Sequence, residues 1–448
     1  MKKILLANAT IVNQNKEFLG SVLISGNTIE EVFVGAIPHS MNLDSIEYID
    51  CSGKYIFPGI IDDQVHFREP GLTHKGTIKS ESKAAVAGGI TSYMEMPNVI
   101  PQTTTIQNLE EKFALAARDS YANYSFYIGA TNSNIDQLKA IDKRITCGVK
   151  VFMGSSTGNM LVDNDEALTA IFKNVKIPIA THCEDETTIR KNLEHYTHIY
   201  GDAIPIQFHP LIRSREACMK SSSFAVQLAK KHNARLHILH VSTADELQLF
   251  ESGPVSNKQI TAEVCVHHLW FSADDYHTKG ASIKWNPAIK NKEDRDALQQ
   301  AVCANIIDVV ATDHAPHLYN EKTGNYTSAA SGGPLVQHSL LAMLDLHTQN
   351  IFSLSEIVTK MCHAPAELFT IYNRGYIAKG MFADIVVVDL HKKTHVTPNS
   401  LLYTCGWSPF NGHTFSSTID KTFVNGQLVY ANGQIHDVQA ATHLIFSR

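Results

Sequence analysis

The sequence contains no long apolar run and no block of like charge. Its 448 residues carry a net charge of −6 that is spread along the chain. No apolar stretch approaches the roughly 20 residues that a membrane-spanning helix requires. An apolar segment at the N-terminus is interrupted by Asn8, so we interpret it as a strand and not as a signal peptide. We therefore expect no membrane partner, no nucleic-acid partner and a cytoplasmic location.

Paired cysteines and nucleotide-binding motifs are also missing. The 8 cysteines are scattered and none forms a Cys-x-x-Cys pair, which favours reduced thiols over a disulfide framework. No GxGxxG or P-loop sequence occurs, so a nucleotide-binding fold has no support. A hydrophobic content of 44% with 18% charged residues is typical of a globular protein with a sizeable core.

Both ends of the chain show strand patterns without helical periodicity. Near the N-terminus, short apolar stretches are separated by turns such as Gly26-Asn27. Near the C-terminus, Asn425-Gly426 predicts a hairpin between two apolar stretches. We therefore predict one small β-sandwich domain composed of residues 1–55 and 375–448.

The middle of the chain, residues 56–374, alternates between strand-like and helix-like segments. The helix-like segments include Thr77–Ala87 and Ser214–Lys231. Eight strands with intervening helices predict an α/β fold, a (β/α)8 TIM barrel that forms the catalytic domain. The predicted strands are Phe57–Ile61, Thr91–Met96, Tyr124–Ile128, Val149–Met153, Ile177–Ala180, Leu236–Leu239, Ile260–Val264 and Ile307–Ala311.

Polar residues follow these strands, at the positions where barrel enzymes build their active sites. Gln64 and His66 lie two residues apart and share one face of the first strand, with Arg68 just beyond them. One imidazole at a strand end is usually a buried core or loop residue. Several imidazoles and a carboxylate at different strand ends indicate a metal site. The polar residues at the other strand ends are Asn98, Lys150, His182, His240, His267, His268, Asp313 and His317.

Several short motifs occur in a fixed order along nearly the whole chain. They are Asp62-x-x-x-His66-x-Arg68-Glu69-Pro70-Gly71, Met96-Pro97-Asn98, His182-Cys183-Glu184-Asp185, His240-Val241-Ser242-Thr243, Asn286-Pro287 and Asp313-His314-Ala315-Pro316-His317, followed by Gly375–Asp389 and Ser408-Pro409-Phe410. Together they resemble the dihydroorotases of the amidohydrolase superfamily, in a class I-like arrangement.

This resemblance implies a reversible ring closure of N-carbamoyl-L-aspartate to L-dihydroorotate, a step of pyrimidine (UMP) biosynthesis, on a zinc site. It also implies that Lys150 is carboxylated and bridges two zinc ions. A buried lysine is costly unless it is neutralised, and the alternative is a lysine that reaches out from the barrel rim. His237 is an alternative to His240, but it faces the opposite side of its strand. The implied metal ligands are His66, Lys150, His182, His240 and Asp313.

The resemblance further implies which residues contact the substrate. Arg68 would pair with a carboxylate through two parallel hydrogen bonds. Asn98, Asn286 and His317 match the family's other substrate contacts, and the alternative role for the two asparagines is in turns or caps. Asp313 would move a proton between the attacking water and the amide nitrogen. The long loop 318–333 is a candidate cover for the substrate.

Gln64 departs from the family, which usually has His-x-His on the first strand. An amide oxygen is a weaker zinc ligand than imidazole, so we expect one tightly bound zinc ion and a second that is held less firmly. The departure leaves other functions open. They are another cyclic amidohydrolase (allantoinase, dihydropyrimidinase or hydantoinase) and an inactive dihydroorotase-like subunit that partners aspartate transcarbamoylase. A homodimer and an association of the active enzyme with aspartate transcarbamoylase also stay open.

Overall fold

Strands from the N-terminal segment form one part of a large sheet. The computed structural model describes residues 2–154 and 160–448. The predicted strands around the Gly26-Asn27 turn are confirmed, since the two strands flanking that turn pair in antiparallel register. The N-terminal strands are β1 (Lys3–Asn13), β2 (Lys16–Ser25), β3 (Thr28–Val34), β4 (Ile46–Asp50) and β5 (Tyr55–Pro58).

The middle of the chain contains parallel strands that close into a barrel. They are β6 (Ile60–Val65), β7 (Ile90–Glu95), β8 (Asn123–Phe126), β9 (Ile128–Gly129), β10 (Val149–Phe152), β11 (Ile179–His182), β12 (Leu236–Ile238), β13 (Ile260–Cys265) and β14 (Val309–Ala311). β6, β7 and β8 form a 3-stranded sheet, and β9 to β14 form a 6-stranded one. β8 and β9 are separated by Tyr127 alone, and a bridge between Val65 and His314 joins the two outer edges. The predicted eight-stranded (β/α)8 barrel is thereby confirmed.

Helices connect the barrel strands. They are α1 (Ile78–Ala87), α2 (Ile106–Asp119), α3 (Ile135–Ala140), α4 (Asp165–Asn174), α5 (Glu186–Tyr200), α6 (His209–Ile212), α7 (Arg215–His232), α8 (Val266–Trp270), α9 (Tyr276–Lys279), α10 (Lys292–Cys303), α11 (Ser339–Thr348), α12 (Leu354–Val358) and α13 (Ala364–Phe369). The longer ones start at polar residues whose side chains accept a backbone N–H of the first turn, as Thr77 does for α1 and Ser214 for α7. Among the described residues, no helix is long and apolar enough to cross a membrane.

The C-terminal strands return to the N-terminal ones. They are β15 (Ile385–Asp389), β16 (Thr394–His395), β17 (Thr414–Phe415), β18 (Thr418–Val424), β19 (Gln427–Ala431) and β20 (Gln434–Ile435). β15 pairs with β5, which joins the two ends of the chain in one 9-stranded sheet. The predicted hairpin is confirmed, because Asn425 and Gly426 take the left-handed backbone (φ 47° and 73°) between β18 and β19.

The first barrel strand differs from its predicted range, Phe57–Ile61. The chain leaves the terminal sheet after Pro58 and enters the barrel at Ile60. Gly59 makes the change of sheet feasible, because a Cβ there would lie 2.0 Å from Thr91 Oγ1. An apolar run alone does not reveal that its two halves belong to different sheets. The division of the chain into residues 1–55 plus 375–448 and residues 56–374 stays a prediction.

Candidate active site

The C-terminal ends of the barrel strands surround one cavity of about 520 Å³. Side chains from the strand ends and from the loop 326–332 line it. All of the site residues predicted from the sequence are among its lining residues, as is Gln64. They are His66, Arg68, Asn98, Lys150, His182, His240, Asn286, Asp313 and His317. The structure therefore brings these residues together, while their individual roles stay predictions.

Three of the strand ends turn sharply to present their side chains. Arg68, His240 and Asp313 have left-handed backbones, with φ of 71°, 41° and 47°. Such φ values are uncommon for residues other than glycine and persist where the surrounding structure enforces them. Buried carboxylates supply part of that support, since Glu95 accepts the N–H of Phe67 at 3.0 Å and Glu263 accepts that of His240 at 2.9 Å.

The first cluster in the cavity joins β6 to the end of β14. His66 Nδ1 lies 2.6 Å from Asn98 Oδ1, and an amide oxygen only accepts, so Nδ1 carries the proton. His66 Nε2 lies 3.1 Å from Asp313 Oδ1. Burial lowers the pKa of His66, so the ring is neutral and its Nε2 lone pair faces a carboxylate oxygen. Two facing lone pairs repel each other, and a cation bound to both atoms would remove that repulsion.

Gln64 contacts the same carboxylate. Its Nε2 donates to Asp313 Oδ1 at 3.1 Å, and its Oε1 lies 3.9 Å from Cys265 Sγ. The prediction that Gln64 and His66 face one position is therefore confirmed. Gln64 presents its N–H group to that position, and its amide would have to turn over to offer an oxygen.

The second cluster joins β11 to the end of β12. His182 Nε2 lies 3.0 Å from Glu184 Oε2, which accepts its proton, so His182 Nδ1 is left with a lone pair. That atom faces His240 Nε2 at 3.0 Å. The other ring nitrogen of His240, Nδ1, is buried and has no hydrogen-bond partner in the described part of the chain. Burial lowers the pKa of both imidazoles, that of His240 to well below its usual value, so both rings are neutral, as metal ligands must be.

Lys150 lies at the floor of the cavity on β10. Its side chain is buried, and Nζ lies 4.6 Å from the centroid of the Phe152 ring. Burial lowers the pKa of Lys150 to about 8, so the neutral amine is far more accessible near neutral pH than for an ordinary lysine. Neutral imidazoles, a carboxylate and this amine form a donor set that fits a divalent metal ion.

Arg68 adds a cation to the opposite wall of the cavity. Its Nε donates to the carbonyl of Pro316 at 3.0 Å, and its Nη2 lies 3.1 Å from His317 Nε2. Only 6% of Arg68 is exposed, and burial lowers its pKa to about 10. No carboxylate pairs with it among residues that the structure describes. A buried guanidinium without a counter-ion at a cavity wall is suited to an anionic ligand.

Residues 326–332 of the loop 318–333 line the cavity, and the role of the loop as a cover stays a prediction. Lys284 Nζ donates to the carbonyls of Tyr326 and Ala329 at 2.6 and 2.5 Å. Lys322 Nζ donates to those of Ala330 and Gly332 at 2.7 and 2.6 Å. Two buried lysines thus hold the loop through its backbone. Asn286 lines the same space, and its Oδ1 has no partner within the described residues.

Sequence reasoning missed Glu184 and Arg213, which support an imidazole of the site through hydrogen bonds. Arg213 donates to Glu184 Oε2, the atom that also accepts from His182. Burial would raise the pKa of Glu184, but Arg213 and His182 lower it to about 2. Glu184 follows His182 at strand spacing, which was a usable signal. Arg213, after α6, had no such signal. His237 faces Asp63, away from His240, as the strand alternation predicted.

The comparison with protein families identifies the class of the protein. The model of the "Amidohydrolase family" matches residues 55–429. The chain belongs to the amidohydrolase family, whose members use a metal cofactor.

Curated relatives specify the class further. A dihydroorotase of Halobacterium salinarum is 32% identical over 372 residues, which cover 83% of this chain and 86% of the relative. A dihydroorotase of a Wolbachia species from Brugia malayi is 30% identical and covers 96% of both chains. The resemblance to dihydroorotases drawn from the motifs is confirmed.

Solved structures show the same fold. An L-hydantoinase from Arthrobacter aurescens matches with a TM-score of 0.92 at 24% identity, covering 99% of this chain and 100% of that one. A dihydropyrimidinase from Brevibacillus agri matches with a TM-score of 0.88 at 22% identity, covering 100% of both chains. These matches confirm the predicted fold class and carry no argument about the substrate.

Proposed function

We propose that this protein is a dihydroorotase, which interconverts L-dihydroorotate and N-carbamoyl-L-aspartate in pyrimidine biosynthesis. The observation that carries the proposal is the buried guanidinium of Arg68, which pairs with no carboxylate of the described residues and lies in the same cavity as the neutral imidazoles and Asp313. Cyclic amides without a carboxylate would leave that guanidinium without a counter-ion, at the high cost of an uncompensated buried charge.

The metal would be zinc, held by His66, Lys150, His182, His240 and Asp313. When bound, it supplies a Lewis acid that polarises the ring carbonyl and lowers the pKa of water. Nitrogen and oxygen donors of this kind are typical zinc ligands. The facing lone pairs of His66 Nε2 and Asp313 Oδ1, 3.1 Å apart, support this assignment.

Lys150 would be carboxylated on Nζ. Only the neutral amine reacts with carbon dioxide, and the pKa of about 8 that burial gives Lys150 makes this form available. The carbamate would carry a negative charge and two oxygen donors into a cavity wall where a bare ammonium is costly. One carbamate could thereby serve the two clusters of ligands.

Arg68 would bind the substrate carboxylate that takes no part in ring closure, through two parallel hydrogen bonds. Asn98, Asn286 and His317 would contact the rest of the substrate. Asn286 Oδ1, buried without a partner in the described region, is available to accept an N–H of the ring. The loop 318–333 would exclude bulk water once the substrate is bound, and its lysine-held backbone favours that closed position.

Asp313 would be the general acid and base. In hydrolysis its carboxylate takes a proton from the attacking water and delivers it to the ring amide nitrogen as the C–N bond breaks. In ring closure it removes a proton from the carbamoyl nitrogen, and water leaves the former carboxyl group. The contact of Asp313 Oδ1 with both His66 and Gln64 supports a fixed position for the carboxylate.

The proposal is tested by a substrate comparison. Purified full-length protein is assayed with L-dihydroorotate, dihydrouracil, hydantoin and allantoin, with zinc supplied. We expect kcat/KM for dihydroorotate to exceed that for dihydrouracil by about 100-fold or more, the order of magnitude for one buried charge pair. Equal values would contradict the proposal, and turnover of none of the four would point to a non-catalytic subunit.

We also propose that the chain forms a homodimer and that it associates with aspartate transcarbamoylase. Sedimentation of the chain alone, and again with a transcarbamoylase of the same source, measures both.

A further inference from the structure

Three ionisable side chains inside the barrel have no place in the proposed reaction. Asp63 on β6, His237 on β12 and Glu263 on β13 are fully buried. His237 Nε2 lies 3.0 Å from Asp63 Oδ2 and 3.7 Å from Glu263 Oε2. We call these three residues the buried triad. It is connected to the second cluster of imidazoles through Glu263, which contacts the backbone of His240.

The hydrogen bonds of His237 define its protonation. Thr261 Oγ1 donates to the carbonyl of Leu236 at 3.3 Å, so it accepts from His237 Nδ1, which lies 2.8 Å away. His237 Nε2 faces carboxylate oxygens and therefore carries a proton as well. Burial opposes the charge, but the hydrogen bond to Asp63 and the nearby carboxyl group of Glu263 raise the pKa of His237 to about 9. The triad is an imidazolium between two carboxyl groups.

The other oxygen of Glu263 reaches the candidate metal centre. Glu263 Oε1 accepts the backbone N–H of His240 at 2.9 Å, and Cys265 Sγ lies 3.4 Å from the same oxygen. His240 is one of the residues with a left-handed backbone (φ 41°). The direction in which its ring leaves the end of β12 depends on that backbone, so the hydrogen bond to Glu263 helps to aim His240 Nε2 at the metal position.

We propose that Glu263 is a positioning residue for His240, through the hydrogen bond that its Oε1 accepts from the His240 backbone N–H. Its Oε2 lies 3.7 Å from His237 Nε2, which is the distance of an ionic contact and not of a hydrogen bond. The inference rests on the role of His240 as a metal ligand in the proposed function.

Glu263→Gln is the decisive substitution. A glutamine has one acceptor oxygen, and the charge of the His237 imidazolium, 3.7 Å from Oε2 of the wild-type glutamate, attracts that oxygen more strongly than a neutral backbone N–H does. The amide NH2 group would then face the N–H of His240, and the two donors would push that residue out of position. We expect zinc affinity to fall about 10- to 100-fold, the usual result of losing an outer partner of a metal ligand.

Asp63→Asn is the matched control. It removes the same charge from the same imidazolium, but Asp63 does not contact His240. Its other oxygen, Oδ1, has no partner among the described residues, so an asparagine can keep its oxygen towards His237 and place its NH2 group there. We expect both variants to lose stability in urea, and only Glu263→Gln to lose zinc affinity.

His237→Gln provides a second comparison that does not depend on Glu263→Gln folding. On its own it leaves Glu263 free to accept from His240, and we expect zinc affinity within about threefold of the wild type. Combined with Glu263→Gln, it offers an amide oxygen to the NH2 group of the new glutamine, whose own oxygen can then turn to His240. The double variant should regain most of the zinc affinity.

The readouts are zinc affinity, from competition with a coloured chelator, and the visible absorption of the cobalt(II)-substituted proteins, which reports ligand geometry. The inference predicts a changed cobalt spectrum for Glu263→Gln and wild-type spectra for Asp63→Asn and His237→Gln. Equal losses of affinity in all three single variants, or in none, would overturn it. A wild-type chain that binds no zinc would overturn the proposed function as well, whereas the variant pattern in a zinc-binding chain tests this inference alone.

Discussion

The two clusters of candidate ligands are built differently. The β6–β14 half consists of Gln64, His66 and Asp313, in which both Gln64 and His66 lie 3.1 Å from the same carboxylate oxygen inside the cavity. The β10–β12 half, with Lys150, His182 and His240, is supported from outside the cavity. Glu184 holds one imidazole and Glu263 holds the backbone of the other.

This difference has a consequence for metal binding. In the β10–β12 half, Glu184 already fixes the tautomer of His182 and Glu263 holds the backbone of His240, so little free energy is needed to organise these ligands for a metal ion. In the β6–β14 half, the metal must break the hydrogen bond from Gln64 to Asp313, and the amide offers only a weak oxygen in return. We infer that the two halves bind metal with unequal strength, while the proton transfer depends on the weaker half.

Asp313→Asn is expected to have the largest effect, because it removes the proton carrier from the β6–β14 half. We expect kcat to fall by about 10²- to 10⁴-fold in both directions, as is usual for general acid–base groups. Dihydroorotate binding, measured by calorimetry, should change far less. If the variant keeps more than about a tenth of the wild-type kcat, Asp313 is not the proton carrier.

Arg68→Met tests a residue that belongs to neither half. Loss of the buried charge pair with the substrate should lower kcat/KM for dihydroorotate by about 100-fold. Zinc content should stay at the wild-type level, which separates loss of substrate binding from loss of metal. Steady-state kinetics on the zinc-loaded variant provide the measurement, and a decrease below about threefold would remove the carboxylate-binding role of Arg68.

Glu184→Gln tests the outer support of the β10–β12 half. A glutamine oxygen can still accept from His182, but the charge that strengthens this hydrogen bond is lost. We expect zinc affinity to fall about tenfold, at the lower end for such partners. Glu194→Gln, an exposed position on helix α5, which follows Glu184, is the control and should bind zinc like the wild type. Equal affinity in both variants would show that Glu184 does not support the site.

Much of this arrangement was predictable from sequence because it depends on local rules. Strand alternation and the polar residues at strand ends located the barrel and the cavity, and alternation within β12 separated His240 from His237. Left-handed turns at His240 and Asp313 were not predicted. They depend on buried carboxylates from other strands, such as Glu263, and so on tertiary contacts.

Arg213 and Lys284 were missed for the same reason, because their roles depend on tertiary contacts. Arg213 reaches Glu184 from a segment about thirty residues away, and Lys284 holds a loop that begins far downstream. Neither position carries a periodic or motif signal of its own. The transition at Gly59 from the terminal sheet to the barrel was not predicted either. It depends on the close contact between Gly59 and Thr91, which the sequence does not show.

The zinc content of the wild type and of Gln64→His most directly tests whether the two halves of the site bind metal with unequal affinity. Both proteins are dialysed against a mild chelator, and the zinc per chain is measured by mass spectrometry. The account predicts about one zinc ion per wild-type chain, because imidazole is a better ligand than the amide of Gln64. The same reason predicts a rise towards two in Gln64→His. Two tightly held zinc ions in the wild type would contradict it, since Gln64 or another group would then serve the β6–β14 half as well as an imidazole.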